Sequence, residues 1–174
     1  MDYLRLPIGN NAPESFNVVV EIPKGSANKY EYDKELNVFR LDRALYSPTY
    51  YPGDYGFIPS TISEDGDPLD ALVLVDEPSF TGCLIHVRPV GILEMIDQGL
   101  KDEKVLAVPV YNPRFSEVID FSGIFAHVLR EIEHFFLIYK ELEGKKVESQ
   151  GWRSTSAARE IIRQAHERFK QGIV

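Results

Sequence analysis

The stretch LIHVRPVGILEMIDQGLKDEKVLAVPV, residues 84–110, predicts two strands joined by a turn. Its first part, Leu84–Ile96, is mostly apolar and predicts a long strand with a bulge or bend at Pro89 and Gly91. The tetrapeptide QGLK at 98–101 has the composition of a turn. A second apolar strand, Lys104–Val110, follows it. We therefore expect a hairpin built on one long, bent strand.

Shorter strand patterns precede this hairpin. Residues 29–33, KYEYD, alternate so that Lys29 and Glu31 lie on one face of a strand and the tyrosines on the other. A turn near residues 34–37 leads into Val38–Arg43, which indicates a second hairpin. The remaining predicted elements are a strand at Phe16–Ile22, an ordered but irregular Tyr-, Pro- and Gly-rich loop at Tyr46–Pro59, and a strand buried on both faces at Ala71–Val75.

Two helical patterns close the chain. The first begins at the cap candidate Ser122 and extends to Leu142, and the second begins around residues 154–156 and ends before Gly172. The first helix is apolar over more of its circumference than one core-facing stripe requires, so we expect it to contribute to a subunit contact. Many strands followed by late helices predict a mainly β, α+β fold, a small β-barrel with helices outside it, in a single domain over 1–174.

The composition narrows the range of partners. The net charge of −8 argues against a duplex nucleic acid or an anionic membrane surface as the partner. No apolar stretch approaches the ~20 residues of a membrane span, and the one cysteine, Cys83, permits no intramolecular disulfide. We therefore expect a cytoplasmic protein with no membrane partner. An acidic protein that binds a phosphate substrate needs metal cations between the two.

Two acidic clusters are candidates for such cations. The segment DGDPLDA at 65–71 places three carboxylates, of Asp65, Asp67 and Asp70, within six residues. Hard cations such as Mg²⁺ take oxygen ligands of this kind, although a solvated acidic turn has the same pattern. A calcium loop of the EF-hand type is excluded, because its required Gly and Glu positions hold other residues. The second cluster, Asp97 and Asp102, flanks the turn at 98–101.

Basic side chains accompany these acids. Lys29 shares a strand face with Glu31, Arg43 ends the next strand, Lys104 follows Asp102, and Lys140 follows Tyr139 on the first helix. Metals held by acids, beside Lys and Arg, are what phosphoryl chemistry requires. The sequence contains no HExxH, GxSxG, P-loop or CxxC motif, so zinc hydrolysis, serine catalysis and P-loop chemistry lack their usual support.

The chain resembles the family I soluble inorganic pyrophosphatases in their short prokaryotic form. The resemblance covers essentially the whole sequence, and its segments are VVVEIPKGSANKYEYDKE, YYPGDYGFIPST, DGDPLDALVL, RPVGILEMID, DEKVLAVP, HFFLIYKELE and GW. It implies a five-stranded OB-like β-barrel with two outer helices. It also implies an inorganic diphosphatase that hydrolyses pyrophosphate to two orthophosphates with a metal-activated water, several Mg²⁺ ions and no covalent intermediate.

The resemblance also implies roles for individual residues. Asp67 corresponds to the residue that hydrogen-bonds the attacking water. The implied metal ligands are Asp65, Asp70, Asp97 and Asp102, with Glu21 and Glu31 acting mainly through coordinated waters. The implied phosphate-binding and pocket residues are Lys29, Arg43, Tyr51, Tyr55, Lys104, Tyr139 and Lys140. Of the second set, Lys29, Arg43 and Tyr55 are expected to assist catalysis with Asp67.

The chain departs from the family pattern at Gln98, where bacterial relatives often carry an acid. The resemblance further implies a homohexamer built from two trimers. A non-catalytic OB-fold module that binds nucleic acid or nucleotides is the alternative, because OB folds bind single strands with basic grooves and stacking aromatics. The tyrosines at 46–57 could supply the stacking. The net charge and the number of clustered carboxylates weigh against it.

Overall fold

Nine strands and two helices make up the regular structure of residues 1–172, the part of the chain that the computed structural model describes. The last two residues of the expected domain, 173–174, lie outside it. The elements are β1 (Phe16–Ile22), β2 (Asn28–Asp33), β3 (Val38–Ala44), β4 (Asp54–Phe57), β5 (Asp70–Val73), β6 (Leu84–Asp97), β7 (Leu100–Lys101), β8 (Lys104–Pro109), α1 (Ala126–Ile138), β9 (Val147–Arg153) and α2 (Thr155–Gln171).

Five of the strands form a closed ring. Starting from β1, the ring runs through β4, β5, β8 and β6 and returns to β1, so that β1 pairs with two neighbours. All of these pairs are antiparallel except β5 with β8. This ring and the two helices confirm the predicted mainly β, α+β fold with a five-stranded barrel. The remaining strands extend it: β7 and β9 pair with β6, and β2 pairs with β3 in a separate two-stranded sheet.

Alternate side chains of the ring strands enter two different apolar clusters. In β5, Leu72 joins the cluster that contains α1, whereas Ala71 and Val73 join the cluster that contains α2. All three side chains are at most 1% exposed. Because both faces of this strand are covered, the sequence of β5 after Asp70 is apolar. The prediction of a strand buried on both faces is therefore confirmed.

The hairpin predicted at 84–110 is present. β6 pairs antiparallel with β8, and their register shifts between Pro89 and Gly91, where the bulge was expected. At the other end of β6, Gln98 and Gly99 both have positive φ, 50° and 87°, as the two central residues of a type I′ turn require. This turn carries the chain into β7 and places Asp102 beside the start of β8.

Three predictions about the elements were wrong. The expected irregular loop at 46–59 contains β4, whose tight approach to β1 depends on Gly56: a Cβ there would lie 1.9 Å from the carbonyl oxygen of Val19. Helix α1 does not begin at Ser122, because Ile124 is extended, and it ends before Lys140. The strand β9 was not predicted between the helices.

Within residues 1–172, neither helix is both long and apolar enough to span a bilayer.

Candidate active site

One cavity of about 1080 Å³ gathers most of the predicted site residues. It lies between the β2–β3 hairpin, the loop before β5, the turn after β6 and the segment that follows α1. Twelve of the fourteen predicted residues line it, although they are spread over 120 positions of the chain: Glu21, Lys29, Glu31, Tyr55, Asp65, Asp67, Asp70, Asp97, Asp102, Lys104, Tyr139 and Lys140. The fold therefore brings both acidic clusters and three lysines to the same place.

The most buried part of the cavity is centred on Lys104. The parallel pairing of β5 with β8 places Asp70 opposite Lys104. The Lys104 ammonium donates to Asp70 Oδ2 and to Asp102 Oδ1, each at 2.5 Å, and to the Tyr55 hydroxyl at 2.9 Å. The Tyr55 hydroxyl in turn donates to Asp70 Oδ2 at 2.6 Å. One cation thus bridges two proposed metal ligands.

Burial and charge oppose each other in their effect on the pKa of Lys104 but reinforce each other in their effect on that of Tyr55. Burial alone would lower the pKa of Lys104, whose side chain is 4% exposed, but the carboxylates of Asp70 and Asp102 raise that pKa above its ordinary value. Burial raises the pKa of Tyr55 well above its ordinary value, and the charge of Asp70 adds to the effect. Both groups therefore keep their protons and remain hydrogen-bond donors at neutral pH.

A second ion pair lies at the turn after β6. The Lys140 ammonium is 2.5 Å from Asp97 Oδ2 and lies over the ring of Tyr139. The other carboxylate oxygen, Asp97 Oδ1, is buried and has no hydrogen-bond partner among residues 1–172. An unpartnered buried carboxylate oxygen is costly unless a further donor or a cation completes it.

Carboxyl groups on the remaining sides of the cavity have shifted titration. Burial raises the pKa of Asp67, and the neighbouring charges of Asp65 and Asp70 raise it further. Burial also raises the pKa of Glu21 to about 8, although Glu21 accepts a hydrogen bond of 2.8 Å from the backbone N–H of Tyr32. Perturbed carboxyl groups in a polar cleft are typical of catalytic sites.

The β2–β3 hairpin forms a partly exposed side of the cavity. Lys29 lies opposite Arg43 in the register of the two strands. The Lys29 ammonium pairs with Glu31 and lies 3.5 Å from Asp42 Oδ2. Glu31 retains 41% of its side-chain exposure. The positive charge of Lys29 on this hairpin is therefore paired with acids, as that of Lys104 is on the barrel.

Two predicted site residues, Arg43 and Tyr51, do not line the cavity. The Arg43 guanidinium contacts Asp42 and Glu143, neither of which was predicted. Tyr51 is 2% exposed and packs between Tyr55 and Phe135, with ring centroids 5.4 and 4.8 Å away. It supports Tyr55 from behind.

Lys34 and Lys101 line the cavity but were not among the predicted residues. Lys101 adjoins the turn that Asp97 and Asp102 flank, and that position is a signal that could have indicated it. Lys101 pairs with Glu64 at 3.2 Å, at the exposed end of β7. Both lysines add positive charge near the mouth of a cavity otherwise rich in carboxylates.

The donor set of the cavity suits hard divalent cations. Within residues 1–172 no three acids, histidines or cysteines already converge in the geometry of a metal site. The carboxylates nearest one another are instead bridged by lysines, as Asp70 and Asp102 are by Lys104. The cavity has many carboxylate oxygens, and one buried oxygen of Asp97 has no hydrogen-bond partner within residues 1–172. Mg²⁺ and similar ions take oxygen ligands of this kind.

Comparison with known proteins gives a consistent result. The sequence model of the inorganic pyrophosphatase family matches residues 18–170. The inorganic pyrophosphatase of a Synechocystis species is 48% identical over 170 residues, which cover 98% of this chain and 100% of that protein. That of Methanosarcina mazei is 50% identical over 154 residues, covering 88% and 91%.

Solved structures agree in fold along the whole chain. The inorganic pyrophosphatase of Thermus thermophilus superimposes with a TM-score of 0.95 at 46% identity, covering 98% of this chain and 99% of that one. The Helicobacter pylori enzyme gives 0.91 at 40% identity, covering 95% and 98%. With the family match and these full-length similarities, the chain belongs to the inorganic pyrophosphatase family.

Proposed function

We propose that the cavity hydrolyses pyrophosphate to two orthophosphates, with Asp67 as the general base. Hydrolysis of pyrophosphate is the activity of the family. The observation that carries the assignment of the site is the convergence of Lys29, Lys104 and Lys140, each paired with a carboxylate, on one cavity. Such a cavity can exchange its internal ion pairs for phosphate oxygens and cations without leaving any charge unmatched.

We propose Mg²⁺ as the metal, within a family that is metal dependent. Asp65, Asp70, Asp97 and Asp102 would hold it directly, and Glu21 and Glu31 through waters. When bound, the ions neutralise phosphate oxygens and lower the pKa of a coordinated water toward neutrality. The unpartnered Asp97 Oδ1 and the carboxylate pair at Asp70 and Asp102 support this assignment.

Asp67 is suited to accept the proton of the attacking water. The raised pKa of its carboxyl group brings the base nearer to neutral pH, where general bases are most effective. Its backbone N–H is fixed by Asp65 Oδ1 at 3.0 Å, so the loop before β5 sets its direction. No covalent intermediate on the protein is needed, because the water attacks phosphorus directly.

The basic and phenolic side chains would bind the phosphate groups. The ammonium groups of Lys104 and Lys140 remain charged despite burial. Asp70 and Asp102 hold the pKa of Lys104 above its ordinary value, and Tyr139 and Asp97 do the same for Lys140. Tyr55 keeps its proton and can turn its hydrogen bond from Asp70 to a phosphate oxygen. Lys29, Arg43 and Tyr139 complete the proposed set, with Tyr51 holding Tyr55 in place.

We extend the proposal to the whole protein as a cytoplasmic homohexamer with one catalytic domain over 1–174. The family match over 18–170 supports the domain. The large apolar side chains of α1, Phe135 and Phe136, are buried within the protomer and do not supply the surface that a subunit contact through this helix needs. Phe125, at the start of α1, is 75% exposed and provides the apolar surface instead.

The assay is phosphate release from pyrophosphate with purified protein and millimolar Mg²⁺. We expect turnover with Mg²⁺ and none with a chelator. Fluorescence anisotropy with a labelled single-stranded oligonucleotide tests the OB-fold alternative in the same buffer. The net charge of −8 weighs against that alternative, and of the four tyrosines at 46–57 only Tyr46 and Tyr50 are exposed for stacking, while Tyr51 and Tyr55 are buried. Oligonucleotide binding without phosphate release would contradict the proposal.

A further inference from the structure

The Arg43 guanidinium is held by a residue one hundred positions away. Its Nη2 donates to Glu143 Oε2 at 3.0 Å, and its Nε lies 2.7 Å from Oε1 without the alignment of a hydrogen bond. The Glu143 side chain is only 9% exposed, and that of Arg43 is 20% exposed. One hydrogen bond and a second close contact between a planar guanidinium and a carboxylate restrict the direction of the guanidinium as well as matching its charge.

Glu143 reaches Arg43 from a short turn that follows α1. Residues 141–143 form one 3₁₀ turn, and Gly144 ends it with φ of 74°, a conformation that favours glycine. The same segment begins with Tyr139 and Lys140, which line the cavity. The contact therefore joins the β2–β3 hairpin, with Lys29 and Arg43, to the segment with the opposite phosphate-binding residues.

The guanidinium retains donors for another ligand. Arginine has five N–H donors, and the contacts with Asp42 and Glu143 involve Nη1 on one side and Nε and Nη2 on the other. Each terminal nitrogen makes one hydrogen bond to residues 1–172, so one N–H on each is left for another ligand. Two such donors match two oxygens of one phosphate group.

We propose that Glu143 is a positioning residue, which orients Arg43 so that its free end meets a phosphate group of the substrate. This inference rests on the proposed function, in which Arg43 binds phosphate: Arg43 does not itself line the cavity but lies opposite Lys29, which does. Glu143 itself touches no reacting atom. Without it, Asp42 would draw the guanidinium along the hairpin surface, and the cation would be present but displaced.

The test is a double-mutant cycle with Glu143→Gln and Arg43→Lys, measured as kcat and KM for pyrophosphate with Mg²⁺. A displaced phosphate-binding group costs up to about 100-fold in rate, so we expect Glu143→Gln to lower kcat/KM by roughly 10- to 100-fold. In the Arg43→Lys background, the same change should lower it less than about twofold, because the planar fork is already lost. Glu143→Asp, which keeps the charge, should recover part of the loss.

The matched control is Glu141→Gln, an exposed acid of the same turn, which should leave kcat/KM unchanged. Equal losses in both Arg43 backgrounds would mean that Glu143 only supports the fold, and a normal kcat/KM for Glu143→Gln would also overturn the proposal. If Glu143→Gln fails to fold, Glu143→Asp replaces it in the cycle with the same criteria. A wild-type protein that releases no phosphate contradicts the proposed function instead.

Discussion

On the barrel side of the cavity Lys104 lies between Asp70 and Asp102, and on the hairpin side Lys29 lies between Glu31 and Asp42. We refer to these groups as the barrel wall and the hairpin wall. The arrangement of charges is similar, but the Lys104 side chain is 4% exposed and that of Lys29 is 18% exposed. The acids differ as well: Glu31 is 41% exposed, against 20% for Asp102.

The two walls also differ in their supports. The barrel wall stands on β5 and β8, which pair with each other inside the ring and are buried along most of their length. The hairpin wall stands on a separate two-stranded sheet, in which every residue of β2 is only partly buried. We infer that charge on the barrel wall is important for stability, whereas charge on the hairpin wall is available for the ligand at little cost in stability.

The largest expected effect concerns Asp67, on the loop that leads into the barrel wall. Asp67→Asn keeps the shape of the side chain but removes the base, so kcat should fall by about 10²–10⁴-fold. The pH optimum should move upward, because only the metals would then lower the pKa of the water. Turnover of pyrophosphate measured across pH and Mg²⁺ concentration provides the test.

The control for this variant is Glu35→Gln, which removes an acid that lines the same cavity from the hairpin side. It should keep the parental rate and pH profile. If Asp67→Asn retained near-normal turnover with an unshifted profile, the base would be another group.

The comparison of the walls is tested directly by Lys104→Met and Lys29→Met. Removing Lys104 leaves two acids facing each other without their buried cation, which should lower the free energy of unfolding of the metal-free protein by about 3–5 kcal/mol. Removing Lys29 should change it by less than about 1 kcal/mol, since exposed pairs contribute little. Urea denaturation in a chelating buffer measures both.

Millimolar Mg²⁺ adds a second arm to this experiment. An ion that binds only the folded state stabilises it by about 2.7 kcal/mol at one hundred times its dissociation constant. Since Mg²⁺ can replace the lost ammonium charge, it should stabilise Lys104→Met at least as much as the parent protein. Equal losses for the two lysine variants without metal would show that burial does not distinguish the walls.

The smallest effect, counted per pH unit, is expected in the pH dependence of stability. The folded state keeps the proton of Glu21 up to about pH 8, while the unfolded state releases it near its ordinary pKa of 4.5. The free energy of unfolding should therefore fall as pH rises between these values, by at most roughly 1.4 kcal/mol per pH unit. Glu21→Gln should flatten this decline in metal-free protein. Superimposable stability profiles for variant and parent would contradict the assignment.

Local patterns in the sequence predicted most of the fold. The apolar run of β5, the alternation in β2 and the Pro89–Gly91 bulge each depend on neighbouring residues only. β4 was missed because its composition, DYGF within a Pro- and Gly-rich segment, is that of a loop, and its glycine is required by contact with β1. β9 was missed because it gains its structure from pairing with β6.

The candidate site was predicted from the acids and lysines that adjoin turns, and their convergence follows from the topology. The orientation of Arg43 could not be predicted in this way. It is set by Glu143, one hundred residues later, and no spacing rule connects the two positions. The bridging of Asp70 and Asp102 by Lys104 likewise depends on the parallel register of β5 and β8, which is a property of the assembled sheet.

The closure of the ring has a consequence for the order in which the protein can be made. β1 emerges first from the ribosome, yet one of its partners, β6, begins at residue 84, and β8, which links β6 to β5, ends at residue 109. Until then β1 has a free edge, and long loops must close before its second ladder can form. The nascent chain therefore carries an apolar strand, VVVEI, with one unpaired edge until β6 has been made, and chaperones that bind such segments would meet it before the barrel exists.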